Sequence, residues 1–331
     1  MKKILLIRFS SIGDIVLTTP VVRCLKKQLG AEIHYLTKQS FAAVLTANPY
    51  LDKVWTFQRE VTEVLPQLRA EGFDVIIDLH HNLRSLRVRL ALWKVRAHAF
   101  HKINFAKWLM VRWKINRLPD RHIVDRYMDT VRALGVENDG VGLDYFIPAE
   151  AEIDAQAFLR ERLPAELAAM SYIAFVTGAA HATKRLPESK IIAICQRLQQ
   201  PVVLLGGPDE ADSGDRIAQA SGTHVVNACG ALKLNQSASM LRQAAKVISH
   251  DTGLMHIAAA LHKDIVSIWG NTIPAFGMYP YYPADMQRNT SVEVQGLSCR
   301  PCSKIGFQAC PKGHFRCMME IEEGEVVDSL L

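Results

Sequence analysis

Residues 246–260 constrain the fold of this chain more than any other stretch. A short apolar run, 246–249, leads into His250-Asp251-Thr252-Gly253-Leu254-Met255-His256 and then the alanines 258–260. Strand, small turn and helix in that order aim free backbone N–H groups, and the positive end of the helix dipole, at an anion. Asp251 and Thr252 offer a carboxylate and a hydroxyl to sugar hydroxyls or phosphate oxygens. Gly253 lets the backbone approach a ligand closely. The same three letters also make an ordinary helix cap, so the segment needs others beside it.

Three others share its pattern. At the N-terminus, residues 2–9 contain Ile4-Leu5-Leu6-Ile7 in a row and read as a buried strand. Ser10-Ser11-Ile12-Gly13-Asp14 then makes a turn, and residues 15–29 have helical apolar spacing, with Gly30 as the stop. The turn lies at the carboxyl end of the first strand, where open α/β sheets bind ligands. It holds one glycine, so the dinucleotide fingerprint G-x-G-x-x-G is absent, and Asp14 stands at the helix start instead. Farther on, the apolar strand 172–176 precedes a loop of small residues that ends in Thr183-Lys184-Arg185. Its two basic side chains can neutralise phosphate, or can be ordinary surface charges. Residues 201–207 read as a strand ending in the turn Gly206-Gly207-Pro208-Asp209-Glu210.

Taken together, the four segments resemble glycosyltransferase family 9, the ADP-heptose:lipopolysaccharide heptosyltransferases. The resemblance runs from Arg8-Phe9-Ser10-Ser11-Ile12-Gly13-Asp14 to Trp269-Gly270, and the order of the segments carries it. It implies an α/β fold of the GT-B architecture, with two Rossmann-like domains whose parallel sheets face a central cleft. It implies an inverting transfer that needs no metal. Asp14 would be the general base, with Ser10, Ser11 and Gly13 beside it on the acceptor side. Lys184, flanked by Thr183 and Arg185, would bind the donor diphosphate, and Glu210 the adenosine ribose. Asp251, Thr252, Gly253, Leu254 and His256 would surround the donor sugar and phosphates. Leu186 departs from the pattern, since many members have Trp after the basic pair. The chemistry is coherent: a carboxylate takes the proton of the attacking hydroxyl, while cationic side chains and helix amides stabilise the departing diphosphate.

With 331 residues the chain divides most naturally into two domains. Pro148 and Pro164 punctuate a boundary region, and the expected division is 1–155, acceptor-binding, and 156–331, donor-binding with a Cys-rich tail. Further strands are expected at 32–36, 73–79, 225–228 and 264–269, an alternation that suits parallel sheets covered by helices. At 49% hydrophobic and 22% charged residues, the composition is that of an ordinary globular protein. No signal peptide or bilayer-spanning run is apparent, which predicts a cytoplasmic protein.

The net charge of +6 is unevenly placed. Residues 79–119 contain no acid but ten basic residues, interleaved with Trp93, Phe100, Phe105, Trp108 and Trp113. Such a stretch fits a membrane surface or an anionic acceptor, single-stranded nucleic acid, or a solvated helix face over buried tryptophans. The resemblance favours the inner leaflet of the inner membrane, because the family's acceptors are phosphorylated, Kdo-bearing lipid A precursors; nucleic acid is the weaker expectation. His80, His81, Asn82 and Arg84, just after a strand, can reach the acids of such an acceptor.

Cys24, Cys195 and Cys229 are scattered and read as small core residues. Cys299, Cys302, Cys310 and Cys317 cluster with the spacing C-x2-C-x7-C-x6-C, and His314 lies among them. In a reducing compartment that spacing can hold a structural zinc, or the thiols can be free. No cofactor is expected for transfer itself. Two other classes remain open: a nucleotide-sugar epimerase of the same architecture, which would process a donor without an acceptor, and a non-catalytic RNA- or membrane-binding protein.

Overall fold

The computed structural model describes residues 1–330. The chain forms two compact units, each around one fully parallel sheet. The first comprises Met1–Ile103, Arg121–Pro148 and Pro283–Asp285. The second comprises Asn104–Asp120, Ala149–Tyr282 and Met286–Leu331. The division is therefore not a single cut: the Asn104–Asp120 segment packs with the second unit.

In the first unit the strands are β1 (Lys3–Ile7), β2 (Glu32–Lys38), β3 (Lys53–Phe57), β4 (Val75–Asp78) and β5 (Arg96–Ala99), in the order β3-β2-β1-β4-β5. The residues Ile4 to Ile7 are fully buried, as a central parallel strand covered on both faces requires. Leu5, Ile7, Leu36, Phe57, Ile76 and Val88 make one apolar core. The single helix expected over 15–29 is two helices, Ile12–Val16 and Thr19–Leu29. Pro20 opens the second, where its missing N–H costs nothing, and Gly30 ends it in the left-handed conformation (φ 58°). Asp14 does not begin a helix as its cap. Ser11 is the cap, and Asp14 lies one turn in, bonded back to it.

In the second unit the strands are β6 (Ile173–Val176), β7 (Val202–Leu205), β8 (Val225–Asn227), β9 (Lys246–His250), β10 (Asp264–Trp269) and β11 (Asn289–Glu293), in the order β11-β10-β9-β6-β7-β8. Counted within the unit this is the doubly wound order, with its switch point between β6 and β9. In the first unit the switch point is between β1 and β4. The C-terminal tail is part of the core: Cys317, Met318, Ile321, Val326 and Leu330 pack with Ile194, Leu198 and Ile248. Among the described residues no helix is long and apolar enough to cross a membrane.

Candidate active site

Register places two groups of polar side chains at the two switch points. In the first unit Ile7 pairs with Asp78 across the β1–β4 step, so the chain leaves both strands at one level. Arg8, immediately after β1, turns its guanidinium across this end. It donates to the Ser10 carbonyl (2.8 Å), the Leu79 carbonyl (2.7 Å) and the Tyr127 hydroxyl (3.0 Å), and pairs with Asp14 Oδ1 at 2.7 Å. The other carboxylate oxygen of Asp14 accepts from the Ser11 hydroxyl (3.0 Å) and the Ser11 N–H (3.3 Å). Burial pushes the Asp14 carboxyl up, but Arg8 and the Ser11 donors outweigh it and hold the group below the usual carboxylate value. Asp14 is thus ionised and fixed, with part of its side chain open to solvent.

The loop after β4 joins the same group. Buried Asp78 accepts from the N–H groups of His80 (3.1 Å) and His81 (2.7 Å), and His81 adopts a left-handed backbone (φ 47°). The His80 ring lies 4.8 Å from Phe9. Burial, then the charges of Arg8 and Lys102, push His80 down to about 3, so it is a neutral imidazole. The His81 ring is committed to the Phe100 carbonyl (2.7 Å). Arg84 is exposed on the helix that follows, Leu83–Ala91. Structure therefore gathers Ser10, Ser11, Gly13, Asp14 and the His80–Arg84 turn at one sheet end.

In the second unit Val176 pairs with both Leu205 and Ser249, so the loops after β6, β7 and β9 emerge together. Lys184 donates to Asp251 Oδ2 at 2.6 Å, and the Thr272 hydroxyl donates to the same oxygen at 2.9 Å. Thr252 caps the helix Gly253–Ala260 in extended backbone, with no side-chain bond to its first amides. Those amides are the orphan donors of any helix start. Leu254 lies half-buried in the first turn, whereas Met255 and His256 are buried. Arg185 pairs with Glu210 Oε1 at 3.0 Å, and Glu210 Oε2 accepts the Gly207 N–H at 2.9 Å. Small residues make this possible: a Cβ on Gly178 would stand 2.9 Å from Glu210 Oε2. His250 accepts the Leu186 N–H at 3.0 Å and is held neutral, pushed down to about 3 by burial and Arg185. Leu186 is core.

Thr183 has its side chain turned to the C-terminal tail. Its hydroxyl bonds the backbone carbonyl and N–H of Phe307 (3.1 and 2.8 Å), and the residue is buried. It ties its loop to the tail. Besides Arg8, two residues escaped the sequence reading. Thr272 was invisible because it follows a strand end with no glycine-rich signature. Asn271, beside it, is 2% exposed, and neither polar atom of its side chain is bonded to the protein. Buried amides are rarely left so.

A model of glycosyltransferase family 9 (heptosyltransferase) matches residues 61–306. The chain belongs to that family. Lipopolysaccharide heptosyltransferase 3 of Escherichia coli K12 is 25% identical over 289 residues, 80% of this chain and 81% of that one. Lipopolysaccharide heptosyltransferase 1 of Pseudomonas aeruginosa is 24% identical over 325 residues, 91% and 86% of the two chains. In fold, the glycosyltransferase is similar to E. coli ADP-heptose lipopolysaccharide heptosyltransferase II, with a TM-score of 0.71, 19% identity, and 100% and 97% of the chains covered. The GT-B class of two Rossmann-like parallel sheets is therefore shared.

The Cys-rich tail of this family 9 glycosyltransferase holds the four cysteines of the C-x2-C-x7-C-x6-C spacing. Cys299, Cys302, Cys310 and Cys317 are all free thiols. Cys299 Sγ lies 3.9 Å from His314 Nε2. Burial, followed by the neighbouring cysteines, pushes Cys302 up to about 11 and Cys317 up to about 12. Among the described residues the one group with three ligand atoms within 4.8 Å of one another is Glu32, His34 and Glu71. That group lies at the amino ends of the first sheet's strands, away from Asp14. Lys3 pairs with both of its carboxylates, Lys53 with Glu71, and Trp55 donates to His34. Cys299, Cys302 and Cys310 all lie close enough to Cys317 to act on its thiol electrostatically, so the four residues of the C-x2-C-x7-C-x6-C spacing come together in one region of the tail.

Proposed function

We propose that this glycosyltransferase moves a heptose, with inversion, from ADP-heptose to an inner-core lipopolysaccharide acceptor, using its own side chains and no metal. The observation that carries the reading is the Lys184–Asp251–Thr272 group at the second switch point, next to the open start of the Gly253–Ala260 helix. Switch points at strand carboxyl ends are where open α/β sheets hold phosphorylated ligands, and this one offers cation and amides together. Lys184 is assigned to the donor diphosphate, with Arg185 close by, and Glu210 to the ribose. Asp251, Thr252, Gly253, Leu254 and the buried His256 shape the sugar and phosphate pocket. Thr183 keeps the loop in place. Asp14, ionised and clamped by Arg8, accepts the proton of the attacking hydroxyl. Ser10, Ser11, Gly13, His81 and Arg84 line the acceptor side. The donor then belongs to the 156–331 part of the chain and the acceptor to 1–155. A lipid-linked acceptor puts the enzyme at the cytoplasmic face of an anionic membrane.

The test is transfer from ADP-heptose to a Kdo-bearing lipid A precursor, followed by mass spectrometry for the added heptose and NMR for the anomeric configuration. Asp14→Asn should lower turnover roughly a hundredfold or more, as loss of a general base does, with ADP affinity unchanged. Donor breakdown without an acceptor would favour the epimerase class. Inert donor together with RNA binding would favour a non-catalytic protein. A folded Asp14→Asn enzyme with normal turnover removes Asp14 from the mechanism.

A further inference from the structure

The helix Leu83–Ala91 in the first unit is apolar on two sides. Inward, Ser85 and Val88 are fully buried, and Leu92 follows them into the core. Outward, Leu83 is 80% exposed, Leu90 64% and Trp93, just past the helix, 75%, with Leu86 between them. Positions 83, 86, 90 and 93 follow the three- and four-residue spacing that puts side chains on one helix face. Helices on the surface of a soluble domain ordinarily put polar side chains there. The basic residues border this stripe: Arg84, Arg87, Lys94 and Arg96 are exposed, and the Lys94 ammonium lies over the Trp93 ring at 5.4 Å. Glu60 answers Arg87 at 3.2 Å, and residues 79–119 supply no acid.

We infer that this stripe is a membrane anchor: Leu83, Leu86, Leu90 and Trp93 enter the headgroup boundary of an anionic leaflet while the flanking basic side chains meet its phosphates. The inference rests on the proposed lipid-linked acceptor for its purpose, and goes beyond it in naming the surface and adding insertion to charge attraction. Charge decides the occupant. A second copy docking by the same face would bring Arg84, Arg87 and Lys94 of both chains together with only Glu60 to oppose them. An anionic bilayer complements both the apolar stripe and its cationic border. Tryptophan at the edge of the stripe fits the interfacial preference of indole. Two helical turns form a small anchor, suited to reversible binding.

The experiment is co-sedimentation of the full-length protein with vesicles of phosphatidylethanolamine containing a quarter phosphatidylglycerol, at low and high salt. Transfer to a delipidated, soluble acceptor saccharide is measured in parallel. Wild type should bind and keep part of its binding at high salt, because salt screens charge but not apolar insertion. The Leu86→Gln, Leu90→Gln, Trp93→Gln variant should bind about tenfold or more weakly while turning over the soluble acceptor like wild type. Vesicle binding equal in variant and wild type overturns the anchor, as does wild-type binding that vanishes entirely in salt. A concentration-dependent dimer abolished by the same substitutions, with no vesicle binding, assigns the face to self-association and also overturns it. Absent transfer with stripe-dependent vesicle binding would instead sink the proposed reaction and leave the anchor standing.

Discussion

At the residue scale, Asp14 is held by more donors than a solvent-facing carboxylate meets. Arg8, the Ser11 hydroxyl and the Ser11 N–H all bond it, while the neutral His80 imidazole and the neutral Tyr35 and Tyr127 phenols lie within electrostatic reach. A base must be unprotonated to work, and Arg8 lowers the pH at which Asp14 gains its proton. Activity should therefore persist to acid pH and fall only below the ordinary aspartate range. Arg8→Met removes the charge that holds Asp14 down, so the acid limb of the kcat profile should move upward; Arg8→Lys should move it less. An unmoved limb in an active Arg8→Met enzyme would show that Asp14 is not the titrating base. Lys184→Ala should weaken ADP binding and slow transfer together, by roughly a hundredfold in kcat/KM if the lysine meets charge that grows on the leaving group. Calorimetry finding unchanged ADP affinity would reduce Lys184 to a structural partner of Asp251.

At the element scale, the start of the Gly253–Ala260 helix has amides that no side chain caps. Bound ADP should slow hydrogen exchange at residues 253–255 ahead of the rest of that helix; equal exchange with and without ADP would remove the helix start from the donor site. This element was readable in sequence because an apolar run, a polar turn and an alanine-rich stretch follow one another without interruption. β1, β6, β7 and β10 were readable as continuous apolar runs. By contrast β3, β5 and β11 went unread. Each is an edge strand with one neighbour, and its residues are largely polar or half-buried, as in Arg96-Ala97-His98-Ala99 and Asn289-Thr290-Ser291. Edge strands lack the continuous apolar run that marks a buried strand. The break at Leu17–Thr18 was hidden because apolar spacing continues across it. Of the candidate site, Asp14, Lys184, Glu210 and Asp251 were legible as charges at strand ends. Arg8 was legible only as a residue inside the expected strand 2–9 and not as a partner of Asp14, since its other partners Leu79 and Tyr127 are far away in sequence. Nothing local in the sequence announces the bond of Thr183 to Phe307, which lies over a hundred residues away.

At the scale of the whole molecule, each unit has its own sheet and its own buried core, and every residue assigned to the donor lies in the second. A ligand that binds only the folded form stabilises it by mass action, about 2.7 kcal/mol at a hundred times its Kd. ADP should therefore raise protection across the core of the second sheet, at Phe175, Leu204, Ile248 and Ile268, by about that amount. Leu5, Leu36 and Ile76 in the first sheet should be left nearly unchanged. The tail should follow the second unit, because Met318, Ile321 and Val326 pack in its core. The Asn104–Trp113 helix should do so too: Lys107 lies over the Phe276 ring, and Lys114, just beyond the helix, donates to the carbonyls of Cys299 and Pro301. Exchange measured by mass spectrometry at saturating ADP decides the matter. Equal gains in both sheets would mean that the chain opens as one cooperative block, and gains confined to the first sheet would place the nucleotide beside Asp14 and overturn the division of labour between the two switch points.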